Sequence, residues 1–217
     1  MKKSDNTPLV KIDRIKNPAT STMVDRYILA SSWLKNKTVI DAATGKGYGA
    51  GITLALGATS VVGIDIDVEG VNDANEKYQS PNCKFEVCDI FNLKEKFKEN
   101  EFEACTSIET FEHLPPERID EYLQSIKHVT KETIIITTPR RKVPEWHFQG
   151  GTHLYEYDAA EFTDVLLRNF EDAEITAVML NEVRLENGQV GTDIVTDLYW
   201  NQFQPGIFGC FFAVVEL

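Results

Sequence analysis

The chain has 217 residues, 42% of them apolar, which is enough for one sizeable hydrophobic core but not comfortably for two. Its formal net charge of −12 disfavours a general polyanion-binding surface, so nucleic acid is not the expected partner. No apolar run approaches the ~20 residues of a membrane span, and the first residues lack the apolar core of a secretory signal, so no membrane association is expected.

Cysteine usage favours a reducing compartment. The four cysteines form no Cys-x-x-Cys pair and lie mostly in apolar segments, so we expect reduced thiols in the core and a cytoplasmic protein. These residues are Cys83, Cys88, Cys105 and Cys210.

The first predicted elements are a polar arm and a helix. Residues 1–17 are polar and charged without a sustained period, so we expect a flexible N-terminal arm, followed by a single domain at residues 18–217. Between Pro18 and Leu34, apolar residues recur at near-helical spacing behind a Thr-Ser-Thr run that can cap a helix. This helix precedes the first predicted strand.

The segment VIDAATGKGYG, residues 39–49, predicts a strand, a tight loop and the start of a helix. β-branched residues suit a short buried strand, which ends at Asp41. Gly45, Gly47 and Gly49 follow at alternate positions, so the backbone can turn with positive φ and approach a ligand in front of the next helix. A nucleotide-like group would fit there, and a structural turn without a ligand is the alternative.

Two further predicted strands also end in acids. The pattern VVGID ends at Asp65, sixteen residues beyond the last glycine of the loop, which is near the spacing of a ribose-binding carboxylate in a βαβ unit. The pattern KFEVCD ends at Asp89. Because ligands of doubly wound sheets bind outside the carboxyl ends of the strands, these acids and Asp41 predict one nucleotide-type site.

Helices and strands alternate in the following segments, which is typical of an α/β fold with a doubly wound, largely parallel sheet. The predicted helices cover residues 46–56, 69–79 and 117–129, and the predicted strands cover residues 104–108 and 133–137.

After Pro139 the alternation is interrupted. Residues 140–151 form a loop too long for a simple connection, and such loops are often lids or binding elements. Within it, Arg140, Arg141 and Lys142 could bind an anionic group of a substrate, with a solvated run of charge as the alternative.

The C-terminal part predicts a helix and two strands. Asp158 and Glu161 form a capping-box pattern at the start of the helix. Strands are predicted at residues 174–180 and 208–215; because no helix separates them, the last strand is expected to be antiparallel and inserted beside the fifth strand. The polar residues 181–206 between them are expected to contact a substrate or a second subunit of a dimer, with a disordered loop as the alternative.

These segments resemble the class I S-adenosylmethionine-dependent methyltransferases from about Asp25 to the C-terminus. The resemblance is carried by DAATGKGYG, VVGIDID, EVCDI, SIETFEHL, IIITTP and HLYEY. The most similar branch combines Arg26-Tyr27, Gly-Tyr-Gly in the loop and Glu-x-x-Glu-His-Leu after strand four; it includes ubiquinone-pathway and glycan-associated O-methyltransferases and, more distantly, small-RNA 3′-end methyltransferases. The implied fold is a Rossmann-like, doubly wound sheet of seven strands with an antiparallel last strand.

The resemblance also implies S-adenosylmethionine as the cofactor. Asp41 and the loop backbone would hold its methionine part, Asp65 its ribose hydroxyls and Asp89 its adenine amino group. The implied cofactor-binding residues are Tyr27, Asp41, Ala43, Gly45, Gly47, Gly49, Asp65, Ile66, Asp89, Ile90 and Glu109. Tyr27 is equally explained as a core aromatic. Two positions depart from the family pattern: Ala43 replaces a common glycine, and Thr130–Thr133 replaces a Pro-Gly-Gly turn.

Two chemistries are open for the segment that follows strand four. In a helical turn Glu109, Glu112 and His113 lie close together, and His153 could complete a site for Mg²⁺, Mn²⁺ or Zn²⁺, as in the small-RNA and ubiquinone-pathway relatives. Such an ion would lower the pKa of a bound hydroxyl. Without a metal, His113 is the expected general base, with Glu112 beside it.

Three functions follow from these alternatives. The favoured function is methyl transfer to an oxygen of a small molecule or sugar, which suits the acidic surface and the Glu-His pair. A metal-assisted 2′-O-methyltransferase of RNA ends is the first alternative, favoured by the candidate metal ligands and by Arg140–Lys142. A non-catalytic cofactor-binding protein is the second, although such a protein would have no need of His113.

Overall fold

The computed structural model describes residues 18–141, 152–184, 190–195 and 209–217. The helices are α1 (Pro18–Leu34), α2 (Tyr48–Ala55), α3 (Val68–Tyr78), α4 (Leu93–Lys96), α5 (Ile119–Val129) and α6 (Ala159–Asn169). The strands are β1 (Thr38–Ala42), β2 (Ser60–Asp65), β3 (Cys83–Val87), β4 (Phe102–Ile108), β5 (Thr130–Pro139), β6 (Glu174–Arg184), β7 (Val190–Val195) and β8 (Gly209–Glu216). Short 3₁₀ turns lie at Ile90–Asn92, Phe111–His113 and Pro116–Arg118.

The strands form one mixed sheet in the order β3-β2-β1-β4-β5-β8-β6-β7. Strands β1 to β5 pair in parallel, whereas β8 is antiparallel to both β5 and β6. The predicted α/β, doubly wound sheet with its antiparallel last strand is therefore confirmed, including the position of that strand beside the fifth.

One strand was not predicted. Strand β7 pairs with an extended β6 in an antiparallel ladder from Met179 to Arg184, which makes the sheet eight-stranded instead of seven-stranded. The alternative of a disordered loop over residues 181–206 is wrong for Val190–Val195, which pairs with β6 because backbone pairing across a hairpin does not require apolar side chains. Residues 185–189 and 196–206 lie outside the described residues, and a dimer contact there stays a prediction.

Two hydrophobic layers enclose the sheet, and β1 contributes to both. Ile40 packs with α5 and α6 on one face, whereas Val39 packs with α1, α2 and α3 on the other. Both are fully buried, as expected for a central strand covered by helices on each side. The sheet is thereby fixed as a rigid support, and the loops at the carboxyl ends of β1, β2, β3 and β4 are held at one edge.

Two local predictions are confirmed by the structure. All four cysteines are buried and unpaired by disulfides. The Asp158–Glu161 capping box is present at the start of α6. None of the helices that the structure describes has the length and apolarity needed to cross a bilayer. The N-terminal arm at residues 1–17 and residues 142–151 of the predicted lid, with Lys142, lie outside the described residues.

Candidate active site

The three glycines of the loop between β1 and α2 have different surroundings. A Cβ on Gly47 would lie 2.5 Å from the Ala74 Cβ, and a Cβ on Gly49 would lie 2.1 Å from the Cζ of Tyr27. These two glycines are thus required by packing against neighbouring elements. Gly45, at φ +56°, would meet nothing within 4 Å, so it alone of the three faces open space.

Replacing Gly49 by alanine is expected to destabilise the fold by about 1–3 kcal/mol, because the added methyl group would overlap the Tyr27 ring. Urea unfolding measures this change. In a Tyr27→Leu background the same substitution should cost clearly less, since the smaller side chain leaves room for the methyl group. Equal costs in the two backgrounds would show that Tyr27 is not what excludes a side chain at this position.

Ala43, which departs from the family pattern, adopts the left-handed conformation at φ +60°. This conformation costs an L-residue roughly 1–2 kcal/mol of folded-state strain, which glycine does not have. Glycine instead lowers the free energy of unfolding by about 0.4–1 kcal/mol, because the unfolded chain gains conformational entropy. Ala43→Gly is therefore expected to raise the free energy of unfolding slightly, by about 0.5–1 kcal/mol in urea titrations. The neighbouring Ala42→Gly, in a buried strand, should lower it; a loss of stability in both variants would contradict this account of Ala43.

Asp65 is held at the end of β2 with its carboxylate oriented toward the loop. Its Oδ2 accepts a hydrogen bond from the Gly45 amide at 2.7 Å, and its Oδ1 accepts one from the Asp67 amide at 2.9 Å. Carboxylate oxygens have further acceptor sites beyond these two. Asp65 can therefore receive hydroxyl donors from a ligand in front of the loop.

Asp89, after β3, also accepts a hydrogen bond from a backbone amide. Its Oδ1 caps the following turn by accepting from the Phe91 amide at 3.0 Å, and Ile90 and Phe91 follow directly. Across the opening, Ile66 is two-thirds exposed, which is unusual for an aliphatic side chain at a strand end. A ligand with a flat apolar ring could lie on Ile66, and an amino group at the edge of that ring could donate to Asp89.

Asp41 is placed differently from the other two acids. It is buried, and its carboxylate accepts hydrogen bonds from the hydroxyls of Thr44 and Thr106, both at 2.6 Å, and from Tyr27 at 3.3 Å. Burial raises the pKa of Asp41, while these hydroxyls oppose that shift. Asp41 does not line the cavity described below, so it organises the loop from beneath.

A cavity of about 610 Å³ joins these features, which is within the usual size range for small-molecule sites. Of the predicted cofactor residues, Tyr27, Ala43, Gly45, Asp65, Ile66, Asp89, Ile90 and Glu109 line it. The other lining residues are Met23, Thr44, Tyr48, Phe91, Ile108, Thr110, His113, Leu114, Pro115 and Arg118. The structure therefore brings most of the predicted residues to one cavity, whereas Asp41, Gly47 and Gly49 support it from outside.

Sequence reasoning missed Arg118. Its guanidinium carbon lies 3.6 Å from the centroid of the Phe91 ring, and its Nε and Nη2 donate to the Glu121 carboxylate at 2.8 and 2.9 Å. A planar cation is thereby fixed at the cavity wall. No local pattern points to it, because its contact with Phe91 depends on the packing of two separate turns.

The cavity ends at the turn after β4, where Glu109 is held in a left-handed conformation at φ +54°. Its Oε1 accepts from the Thr137 hydroxyl at 2.9 Å and lies 3.4 Å from the Nε of Arg26. A non-glycine residue with positive φ is strained and often marks a functional position. With this backbone conformation, the Glu109 carboxylate lies between Arg26 and the cavity.

Glu112 is the buried member of this turn. Its side chain is 1% exposed, and its Oε2 accepts from the Thr138 hydroxyl at 3.0 Å. Burial raises the pKa of Glu112, and the nearby Glu109 carboxylate raises it further. Its Oε1 lies 3.7 Å from Nε2 of His113. Of these two residues, His113 lines the cavity and Glu112 does not.

Three of the four predicted metal ligands converge. Glu112, His113 and His153 each offer a donor atom, and these atoms lie within 4.8 Å of one another. The predicted fourth ligand, Glu109, is not in this group, because its carboxylate is engaged with Thr137 and Arg26. The prediction of a four-residue set is corrected to one carboxylate and two imidazoles among the described residues.

The basic cluster at the start of the long loop is partly explained by internal pairing. Arg141 donates to the carboxylates of Asp158 and Glu161 and to the Tyr155 hydroxyl, and only 10% of its side chain is exposed. This arrangement fixes the end of β5 to the start of α6. Arg141 is therefore a structural cation, and neither anion binding nor a solvated run of charge describes this position.

Comparison with known proteins agrees with this geometry. Residues 39–133 match a family model described as a methyltransferase domain. A SAM-dependent methyltransferase from Archaeoglobus fulgidus is 16% identical, with a TM-score of 0.68 over 91% of this chain and 94% of that chain. Among curated proteins, none matches the chain in sequence.

Two further solved structures share the fold. The magnesium protoporphyrin IX methyltransferase of Synechocystis, with bound SAH, is 15% identical, with a TM-score of 0.63 over 96% of this chain and 91% of that chain. A putative RNA methyltransferase from Pyrococcus horikoshii is 12% identical, with a TM-score of 0.59 over 91% of this chain and 82% of that chain. At such identities these similarities concern the fold and leave the acceptor open.

Proposed function

We propose that this chain, whose residues 39–133 match a methyltransferase domain and whose fold is shared by S-adenosylmethionine-dependent methyltransferases, is a class I enzyme of this kind and transfers the methyl group to an oxygen of a small molecule or sugar. The observation that carries the proposal is the position of His113. Its imidazole lines the same cavity as Asp65 and Asp89, at the end formed by Glu109 and Thr110. A base at this place can take the proton of a hydroxyl acceptor.

The volume and the lining residues of the cavity suit S-adenosylmethionine. Gly45 leaves open space in front of Asp65, whose carboxylate would accept from the ribose hydroxyls. Ile66 and Ile90 would contact the adenine faces, and Asp89 would accept from the adenine amino group. When bound, the cofactor supplies an electrophilic methyl group on a sulfonium. The Glu109 carboxylate at the far end would then neutralise positive charge on the methionine part.

His113 is suited to act as the base in its neutral form. Its Nδ1 lies 3.0 Å from the carbonyl oxygen of Thr152, which can only accept a hydrogen bond, so Nδ1 carries the proton. The second nitrogen, Nε2, then has the lone pair needed to accept a proton from an acceptor hydroxyl. Thr110, at the same wall, would help to keep the acceptor next to the methyl group.

A metal-assisted reaction, as in a 2′-O-methyltransferase of RNA ends, is the second candidate. The specific observation in its favour is the convergence of Glu112, His113 and His153. Two imidazoles and one carboxylate fit Zn²⁺ or Mn²⁺ better than Mg²⁺, which prefers oxygen ligands. Such an ion would act as a Lewis acid on the acceptor hydroxyl. The net charge of −12 does not favour an RNA substrate.

A non-catalytic cofactor-binding protein would need the Asp65 side of the cavity but not His113. The test is therefore transfer of labelled methyl from S-adenosylmethionine to separate pools of phenols, sugars and RNA oligonucleotides. We expect label in a phenol or sugar pool. Label only in RNA would favour the second candidate, and cofactor binding without transfer to any pool would favour the non-catalytic protein.

A further inference from the structure

The segment that follows the long loop is attached to the turn containing His113. The amide groups of Leu154 and Tyr155 both donate to the carbonyl oxygen of Glu112, at 2.6 and 3.2 Å, and the His113 ring reaches back to Thr152. Residues 152–155 and the turn Phe111–His113 therefore hold each other through three hydrogen bonds. This contact places His153 beside His113, with ring centroids 5.0 Å apart.

Each imidazole has an acceptor on its Nδ1. For His113 this acceptor is the Thr152 carbonyl, and for His153 it is Oε1 of Glu156, at 2.9 Å. Neither a carbonyl nor a carboxylate oxygen can donate, so in the neutral rings the proton is on Nδ1 and the lone pair is on Nε2. The same tautomer is thus imposed on both histidines by two unrelated groups.

The Glu156–His153 contact differs from an ordinary surface ion pair. The Glu156 side chain is only 14% exposed, and a carboxylate with so little solvent needs a donor of its own. An exposed pair would fix neither partner, because its stabilising effect is small. Here burial of the carboxylate makes the orientation of the His153 ring part of the local fold.

We propose that Glu156 is a positioning residue: it holds His153 in the Nδ1–H tautomer, so that the His153 ring keeps a fixed orientation beside His113, the residue that faces the hydroxyl group to be methylated. The last clause rests on the proposed function. His113 takes the proton of the hydroxyl that is methylated, and His153 accepts a hydrogen bond from a different donor of the same substrate, such as a second hydroxyl, and thereby orients the substrate. Carboxylate or carbonyl partners on Nδ1 commonly fix the orientation of functional histidines.

The first test is spectroscopic and needs no substrate. Two-bond ¹H–¹⁵N correlations of the imidazoles, recorded where both rings are neutral, report which nitrogen carries the proton. In the wild-type protein we expect His113 and His153 both as Nδ1–H. In Glu156→Leu, His153 should lose this preference while His113, held by Thr152, retains it. A wild-type His153 protonated on Nε2 would overturn the inference.

The second test is kinetic. Glu156→Leu should lower kcat by about 10- to 100-fold, the usual cost of removing an orienting partner, with little change in the affinity for S-adenosylhomocysteine. The same substitution at the exposed Glu171 serves as the matched control and should change neither quantity. An unchanged kcat in Glu156→Leu would contradict the role of Glu156.

Methyl transfer and the tautomer of His153 are tested by separate measurements. If the wild-type protein transfers no methyl group to any hydroxyl pool, the proposed function is wrong, and the imidazole spectra still decide whether Glu156 fixes His153. If transfer occurs and His153 is found as Nε2–H, the proposed function survives and the assignment of Glu156 does not.

Discussion

Replacing Asp65 by alanine is expected to weaken the binding of S-adenosylhomocysteine by about 10- to 150-fold. The change removes the acceptor of the ribose hydroxyls, and a hydrogen bond to a charged group contributes roughly 1.5–3 kcal/mol when its partner is left desolvated. Isothermal titration calorimetry measures the affinity directly. S-adenosylmethionine should behave in the same way, since both ligands share the ribose.

The Asp65 variant needs two controls, because the Gly45 and Asp67 amides also donate to this carboxylate. Asp65→Asn keeps one carbonyl oxygen and should show an intermediate loss. Asp73→Ala removes an exposed acid of α3, which pairs with Lys77, and should bind like the wild type. Wild-type affinity in Asp65→Ala, with an unchanged thermal midpoint, would remove Asp65 from the cofactor site.

His113→Ala is expected to lower kcat by about 10²- to 10⁴-fold, the range typical of a lost general base, with cofactor affinity largely retained. His153→Ala should be milder, because in the proposed reaction this ring orients the acceptor and takes no proton. Excess chelator should leave the wild-type rate unchanged. Initial rates with saturating cofactor give all three results.

If the reaction is metal-assisted, chelator and the two histidine substitutions should have different effects from those just described. Chelator would abolish turnover without removing the cofactor, added Mn²⁺ or Zn²⁺ would restore it, and His113→Ala and His153→Ala would be equally severe, since each removes one donor of the same group. Loss of activity in chelator, with recovery on adding metal, would therefore exclude His113 as a metal-free base.

The sequence correctly predicted that Asp65 and Asp89 lie at one edge of the sheet, because the signals for this placement are local. A strand ending in an acid places that acid at the carboxyl edge of a parallel sheet, and this holds for Asp65 and Asp89 whatever the remaining packing. Asp41 fits the same pattern but lies beneath the loop, because hydroxyls of Thr44 and Thr106 and the Tyr27 ring enclose it. Which face an acid presents is decided by tertiary contacts.

The end of the cavity near His113 was harder to predict for the same physical reason. Helical spacing predicted that Glu109 would join Glu112 and His113, but the positive φ of Glu109 redirects its side chain toward Arg26. His153 and Glu156 meet through a contact outside any helix, and Arg118 meets Phe91 from another turn. Strand β7 was missed because its pairing is formed by backbone groups, which leave little trace in side-chain periodicity.

The most direct test of the central claim is the structure of the protein with bound S-adenosylhomocysteine, and the quantity to measure is the distance from its sulfur to Nε2 of His113. We predict the ribose on Asp65, the adenine between Ile66 and Ile90 with its amino group on Asp89, and the sulfur roughly 5–8 Å from Nε2, which leaves room for one methyl group and one acceptor oxygen. A ligand bound away from Asp65, or one whose sulfur points away from His113, would contradict the claim.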